Sequence, residues 1–159
     1  MSDGSLRQIF RKYLPHFDWQ AVETGLTGRG IPDANYCYKG IEGWIEYKQT
    51  QANAVGIRPE QVGWIERRVR HGGRVFIATR HQSKDRDDLY LFSGEHARNL
   101  KDMGLKCQKQ LLKASKGPKH WPWDIIGELL KGNSVDDELL AKFHFLFLKE
   151  KGIGCNDNV

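Results

Sequence analysis

Three side chains of this 159-residue chain have the types and spacing to act together: Asp33 in "GIPDANYCY", and Glu46 and Lys48 in "GWIEYKQ". Both segments read as strands, and Lys39-Gly40 between them suits a tight two-residue turn. A hairpin closed there sets Asp33 directly opposite Glu46 and Asn35 opposite Trp44. Opposed residues point to the same side of a sheet, and side chains alternate along each strand. Asp33, Glu46 and Lys48 therefore share one face. A slip of two residues in the pairing keeps that parity.

Two opposed carboxylates repel and weaken a hairpin unless something compensates. Lys48 is one compensating charge. A divalent cation is the other. Mg²⁺ takes hard oxygen ligands at about 2.0–2.1 Å, usually one or two carboxylates plus substrate phosphate oxygens. Asp33 and Glu46 are the candidate ligands, with the backbone carbonyl of Tyr47 as a third protein oxygen. Lys48 then sits where a water attacks phosphorus, to orient it, lower its pKa or stabilise charge in the transition state. A lone ExK triplet is common and is more often a structural charge cluster at a sheet rim. The elements around this one narrow the reading.

"SLRQIFRKYL" has helical apolar spacing at Leu6, Ile9, Phe10 and Tyr13, and Pro15 ends it. "WQAVET" reads as a strand and the glycine-rich "LTGRGIP" as a loop. After the hairpin, "RPEQVGWIERRVRHGG" is a helix, with Pro59 in its first turn and Gly72-Gly73 at its end. Its buried stripe is Val62, Ile65 and Val69. "RVFIATR" is a strand, "HQSKDRD" a loop and "DLYLF" another strand. "SGEHARNLKDMG" is a helix with Ser93 as its cap and Gly104 as its stop. A short helix is expected in "WPWDIIGELLKGN" and a longer one in "SVDDELLAKFHFLFLKEKG". The expectation is one α/β (α+β) domain, with a mixed central sheet flanked by helices. A core over residues 1–104 carries an extension, 105–159, that is lysine-rich and then helical.

The net charge of +5 is unevenly spread. Arg98 to His120 holds seven Lys/Arg and one acid, and Arg58 to Arg86 holds eight against three. After Trp121 the acids outnumber the bases. A basic middle points to a polyanion partner, most simply nucleic acid, against the plainer alternative of a solvated charged surface. Arg58, Arg67, Arg68 and Lys84 are candidate phosphate contacts. The segment from Leu105 to Lys119 is assigned to no element; Lys106, Lys109, Lys113, Lys116 and Lys119 recur every three or four residues, so a helix there would display them along one side. Asn35 shares the Asp33 face and is a candidate substrate contact. Tyr36 and Tyr38 are expected to pack against a helix. His71 and His81 read as surface histidines, and "HWPW" as a packing element rather than a stacking platform for bases.

Three scattered cysteines, Cys37, Cys107 and Cys155, fit neither a disulfide framework nor a cysteine zinc site. No apolar run approaches the roughly 20 residues of a membrane span, and "MSDGSLRQIF" lacks the order of a signal peptide. The expected setting is the cytoplasm.

"GIPD…WIEYK" followed by "RPEQVGWIERRVRHGGRVFIATR" resembles the PD-(D/E)XK nuclease superfamily. It is most similar to small phage and bacterial nucleases of the VRR-NUC and Holliday-junction-resolvase-like type. The resemblance covers roughly residues 5 to 92 and leaves out the lysine-rich and C-terminal segments. It implies a restriction-endonuclease-like αβββαβ core and Mg²⁺-dependent cleavage of DNA phosphodiester bonds, with Mn²⁺ able to substitute. It places Asp33 and Glu46 as metal ligands, Lys48 at the attacking water, and Gln61 near the active centre. Many relatives carry a further acid on the first helix, where this chain has none; Glu23 is the nearest substitute. A branched-DNA resolvase is the leading expectation and implies a homodimer, because it needs two symmetric sites. A nicking or site-specific homing-type endonuclease is the alternative, and a non-catalytic nucleic-acid-binding module is the alternative of another class. If phage-encoded, the protein works in the host cytoplasm.

Overall fold

The hairpin turn sets the geometry of everything around it. Lys39 and Gly40 both take positive φ, 46° and 80°, the pairing whose twist matches flanking strands in a two-residue hairpin. The computed structural model describes residues 5–23 and 28–133. Its elements run α1 (Leu6–Tyr13), β1 (Asp18–Ala21), β2 (Ala34–Tyr38), β3 (Ile41–Thr50), α2 (Pro59–Arg70), β4 (Val75–Gln82), β5 (Asp87–Ser93), α3 (Ala97–Met103), β6 (Leu112–Ala114) and α4 (Trp123–Leu130). The first six elements follow the order αβββαβ. The six strands form one mixed sheet in sequence order, β1-β2-β3-β4-β5-β6. Only β3 and β4 are parallel, joined by the α2 crossover; the other neighbours are antiparallel. No helix among the described residues is long and apolar enough to cross a membrane.

Alternation along the strands gives the sheet two covered faces. Tyr36, Ile45, Ala78, Leu89 and Leu91 pack under α1 and α4 with Phe10, Trp121, Ile125 and Ile126. Val75, Ile77, Tyr90 and Phe92 pack on the other face under α2 and α3 with Val62, Ile65 and Leu100. A sheet covered on both sides must have polar groups only at its ends, so polar side chains in its buried middle need a specific reason. Tyr36 is fully buried and its hydroxyl donates to the Leu130 carbonyl, which ties the hairpin to the end of α4.

The fold departs from the sequence reading in four places. The lysine-rich segment is not a helix: a 3₁₀ turn at Gly104–Cys107, strand β6 and a second 3₁₀ turn at Pro118–His120 succeed one another. Leu112 and Ala114 are buried while Lys113 between them is exposed, the period of two that a strand imposes. β6 pairs with β5, so the central sheet runs past residue 104. The loop read in "HQSKDRD" is shorter than expected, residues 83–86, because β4 continues through His81 and Gln82 and β5 begins at Asp87. His81 is accordingly buried, 7% exposed, rather than a surface histidine. Ser93 opens a 3₁₀ turn, and α3 starts only at Ala97; the Gly104 stop stands, at φ 66°. The helix expected over 134–152 lies outside the described residues.

Candidate active site

The β2–β3 register is the one the turn predicts: Ala34 faces Ile45 and Asn35 faces Trp44. Asp33 is the next residue before β2 and so continues toward Glu46. It is tied in by its neighbours on both sides. The Val22 amide donates to its carbonyl at 2.9 Å, and the Tyr47 amide donates to its Oδ2 at 2.8 Å. Asp33 Oδ1 has no hydrogen-bond partner among the described residues.

Glu46 lies in the middle of the sheet, 2% exposed, on the α2 face. Burial and, after it, the nearby Asp33 carboxylate push its pKa above the usual range; Lys48 and the Asp33 amide oppose that shift. Lys48 Nζ stands 3.2 Å from Glu46 Oε1. Gln61, in the first turn of α2 and 5% exposed, joins them. Its Nε2 donates to Glu46 Oε1 at 2.7 Å, and its Oε1 accepts from Lys48 Nζ at 3.0 Å and from the Arg58 amide at 2.9 Å. The last bond is the reciprocal half of a capping box, so one side chain both starts the helix and holds the charged pair. An ammonium has three donors; two of those on Lys48 are used here.

Local sequence explains why these elements meet. Gly30, with φ 86°, lies so close to α2 that a Cβ there would come within 2.2 Å of the Glu60 carbonyl oxygen. Only glycine lets the chain leading into Asp33 press on the first turn that carries Gln61. Pro32 has a second effect. Even-numbered residues of β3 bond toward β4, as Trp44 does to the Arg74 carbonyl, so odd ones bond toward β2. The β2–β3 ladder ends at Ala34–Ile45; extended by two residues, its register sets Tyr47 toward Pro32, which has no N–H to offer the Tyr47 carbonyl. On that extended register the Tyr47 carbonyl has no ladder donor, next to the residues that carry the Asp33 and Glu46 carboxylates.

Three oxygen sources of this kind, two carboxylates and a strand carbonyl without a ladder donor, suit Mg²⁺. Among the described residues no group of three or more His, Cys, Asp or Glu forms. An open cleft of about 290 Å³ borders Asp33 and Lys48, lined by these two with Ser5, Leu6, Arg7, Tyr47 and Gln49.

The other residues singled out in the sequence divide. Glu23 is exposed, one residue past Val22, and does not line the cleft. The Asn35 amide donates to the Gly43 carbonyl at 3.0 Å, a bond within the hairpin. Arg58 is exposed and pairs with Glu60 at 3.6 Å. Arg67 and Lys84 are exposed. The Arg68 guanidinium lies over the rings of Trp64, at 4.7 Å, and Trp44, at 5.6 Å. Lys106, Lys109, Lys113, Lys116 and Lys119 are all exposed, but on three different local structures rather than one helix side. Trp121 is buried, and Trp123 stacks on Tyr13 at 4.9 Å between ring centroids, so "HWPW" is a packing element. Sequence reasoning missed Arg7, a cation in the cleft wall; its only signal was its place on the first helix, and a helix one turn away in space cannot be aimed from sequence.

No family model matches the chain, and no curated protein matches it.

Proposed function

We propose that this protein is a Mg²⁺-dependent DNA endonuclease that hydrolyses phosphodiester bonds, with branched DNA as the preferred substrate and a homodimer as the working unit. The observation that carries the reading is a single cluster. A buried glutamate and a lysine sit 3.2 Å apart on β3, beside an aspartate held by the Tyr47 amide, and the lysine and the aspartate line an open cleft. A purely structural pair has no need of a second carboxylate that raises the pKa of the first. The αβββαβ order and the resemblance of "GIPD…WIEYK" to PD-(D/E)XK nucleases support the same reading.

Asp33, Glu46 and the Tyr47 carbonyl would hold the metal. When bound, Mg²⁺ supplies Lewis-acid polarisation of a phosphoryl oxygen and makes a water nucleophilic near neutral pH. Lys48 directs its remaining N–H at the attacking water and at charge that develops on the phosphoryl oxygens. Gln61 keeps Lys48 and Glu46 in register with each other. The Tyr47 amide keeps Asp33 turned toward the same point.

The experiment is a panel of duplex, nicked, flap and four-way-junction DNAs incubated with Mg²⁺, using wild type and Asp33→Asn. Cleavage, greatest on the junction and lost in Asp33→Asn with binding retained, is the expected result. Binding without cleavage in the wild type assigns a non-catalytic nucleic-acid module instead. Equal cutting by Asp33→Asn overturns the site.

A further inference from the structure

The trio of Asp33, Glu46 and Lys48 is a poor place for a phosphate as it stands. Lys48 is engaged with Glu46, which leaves the three side chains with one negative charge in excess. A phosphodiester carries another. The cleft wall offers the remedy on the opposite side, from α1. Arg7 lines the cleft, and its Nη2 donates to the Asp33 carbonyl at 3.3 Å, which leaves most of its five N–H donors uncommitted. No carboxylate pairs with it among the described residues. The capping box of Ser5 and Gln8 and the buried Leu6, Ile9 and Phe10 fix the rotation of α1, so Arg7 is aimed by the core rather than by a partner. Arg11 follows one turn later, exposed and likewise without a carboxylate partner among the described residues. Side chains four apart on a helix stand about 5–6 Å from each other at Cβ. Both arginines act electrostatically on the Tyr47 hydroxyl, which lies on the same face and is buried with no hydrogen-bond partner.

We propose that Arg7 is a phosphate clamp: it binds one backbone phosphodiester of the nucleic acid across the cleft from Lys48, and Arg11 takes the neighbouring phosphate on the way out. The inference rests on the nuclease reading for its purpose, since it names how that site accepts an anion. It is a binding role, and it does not need the metal. A guanidinium fork suits the task because it can grip two oxygens of one phosphate.

The test is anisotropy of the full chain with a labelled junction oligonucleotide in EDTA, at several salt concentrations. Arg7→Gln should weaken binding roughly tenfold or more, the range of a lost hydrogen bond to a charged group. It should also flatten the log–log salt dependence by about 0.7–0.9, one phosphate's worth. Arg7→Lys should restore the slope but not all the affinity. Neutral methylphosphonate linkages, placed one at a time along the strand, should weaken wild type at one position where they cost Arg7→Gln nothing further. If Arg7→Gln melts at a lower temperature, Arg7→Lys and Arg11→Gln carry the same measurement, and Arg11→Gln should couple to the adjacent linkage. Unchanged affinity and slope in Arg7→Gln, or no linkage coupled to Arg7, overturns the clamp; so does a fall in cleavage rate with metal-free binding intact, which marks Arg7 as a mere prop for Asp33. These results are separate from the Asp33→Asn cleavage test, which decides the nuclease reading whether or not Arg7 binds phosphate.

Discussion

Replacing Gln61 with alanine tests the site without assuming what it cleaves. The side chain makes three hydrogen bonds: to a buried carboxylate at 2.7 Å, to the Lys48 ammonium at 3.0 Å and to the Arg58 amide at the start of α2 at 2.9 Å. A bond to a charged group contributes about 1.5–3 kcal/mol, and a lost helix cap costs about 0.5–2 kcal/mol. The Lys48 end lies nearer solvent, 16% exposed, so water recovers part of that bond. Gln61→Ala should therefore cost about 2–4 kcal/mol, a large part of a typical ~5–15 kcal/mol of stability. Urea unfolding followed by tryptophan fluorescence measures it, with Trp44 and Trp64 close to the site. Gln61→Glu is the sharper variant. It keeps an acceptor for Lys48 and for the Arg58 amide, but sets a third carboxylate against Glu46 in place of a donor. Its deficit should be large near neutral pH and shrink on acidification, as the new acid takes up a proton and becomes a donor again. Single-turnover cleavage should fall in both variants, because Lys48 loses its guide in Gln61→Ala and Glu46 faces a repelling carboxylate in Gln61→Glu. A cost below about 0.5 kcal/mol for Gln61→Ala, with cleavage near wild type, would refute the idea that this amide organises the site.

Lys48→Ala should slow the chemical step by at least ~10² while metal binding by calorimetry persists, and Lys48→Arg should rescue poorly because a guanidinium is not a point charge; an unchanged single-turnover rate reduces Lys48 to a partner of the acids. Glu46→Gln should lose cleavage yet stabilise the metal-free fold near neutral pH. Burial, then Asp33, raises the folded pKa of Glu46 above its unfolded value, so its favourable contribution is complete below the unfolded range and disappears as pH rises through the folded value. The advantage of the variant should hence grow from acid to neutral pH in chelator-treated melts, and a constant difference across that range contradicts the assignment. Lys113→Gln should lower the log–log salt slope of DNA binding by about 0.9, whereas Lys119→Gln should leave it unchanged. The register carries one row across the sheet from Lys48 through Thr79 and Tyr90 to Lys113, three strand spacings or about 14 Å, and Lys113 sits over the Tyr90 ring at 5.4 Å. Equal slopes for wild type and both variants would remove this segment from the DNA footprint.

What the sequence determined by itself was local and periodic. Lys39-Gly40 dictated a turn, the turn dictated a register, and the register put Asp33, Glu46 and Lys48 on one face without reference to the rest of the chain. Helices α1 and α2 and strand β4 were legible because each has a period, a cap or a breaker of its own. The lysine-rich segment was not, because lysines every three or four residues look helical in a one-dimensional pattern. The buried Leu112 and Ala114 were instead recruited as a strand by the open edge of β5, and an edge exists only once the sheet has formed. His81 was misread for the same reason: its burial depends on how far β4 runs alongside β3 and β5. The tertiary structure alone decided that Gln61 bridges Glu46 and Lys48, since that needs α2 to cross the sheet with Gly30 pressed against its first turn. It alone turned Arg7 into the cleft. Side chains brought together by packing between distant elements leave no periodic trace in the chain, because the contact is set by the rotation and docking of whole helices.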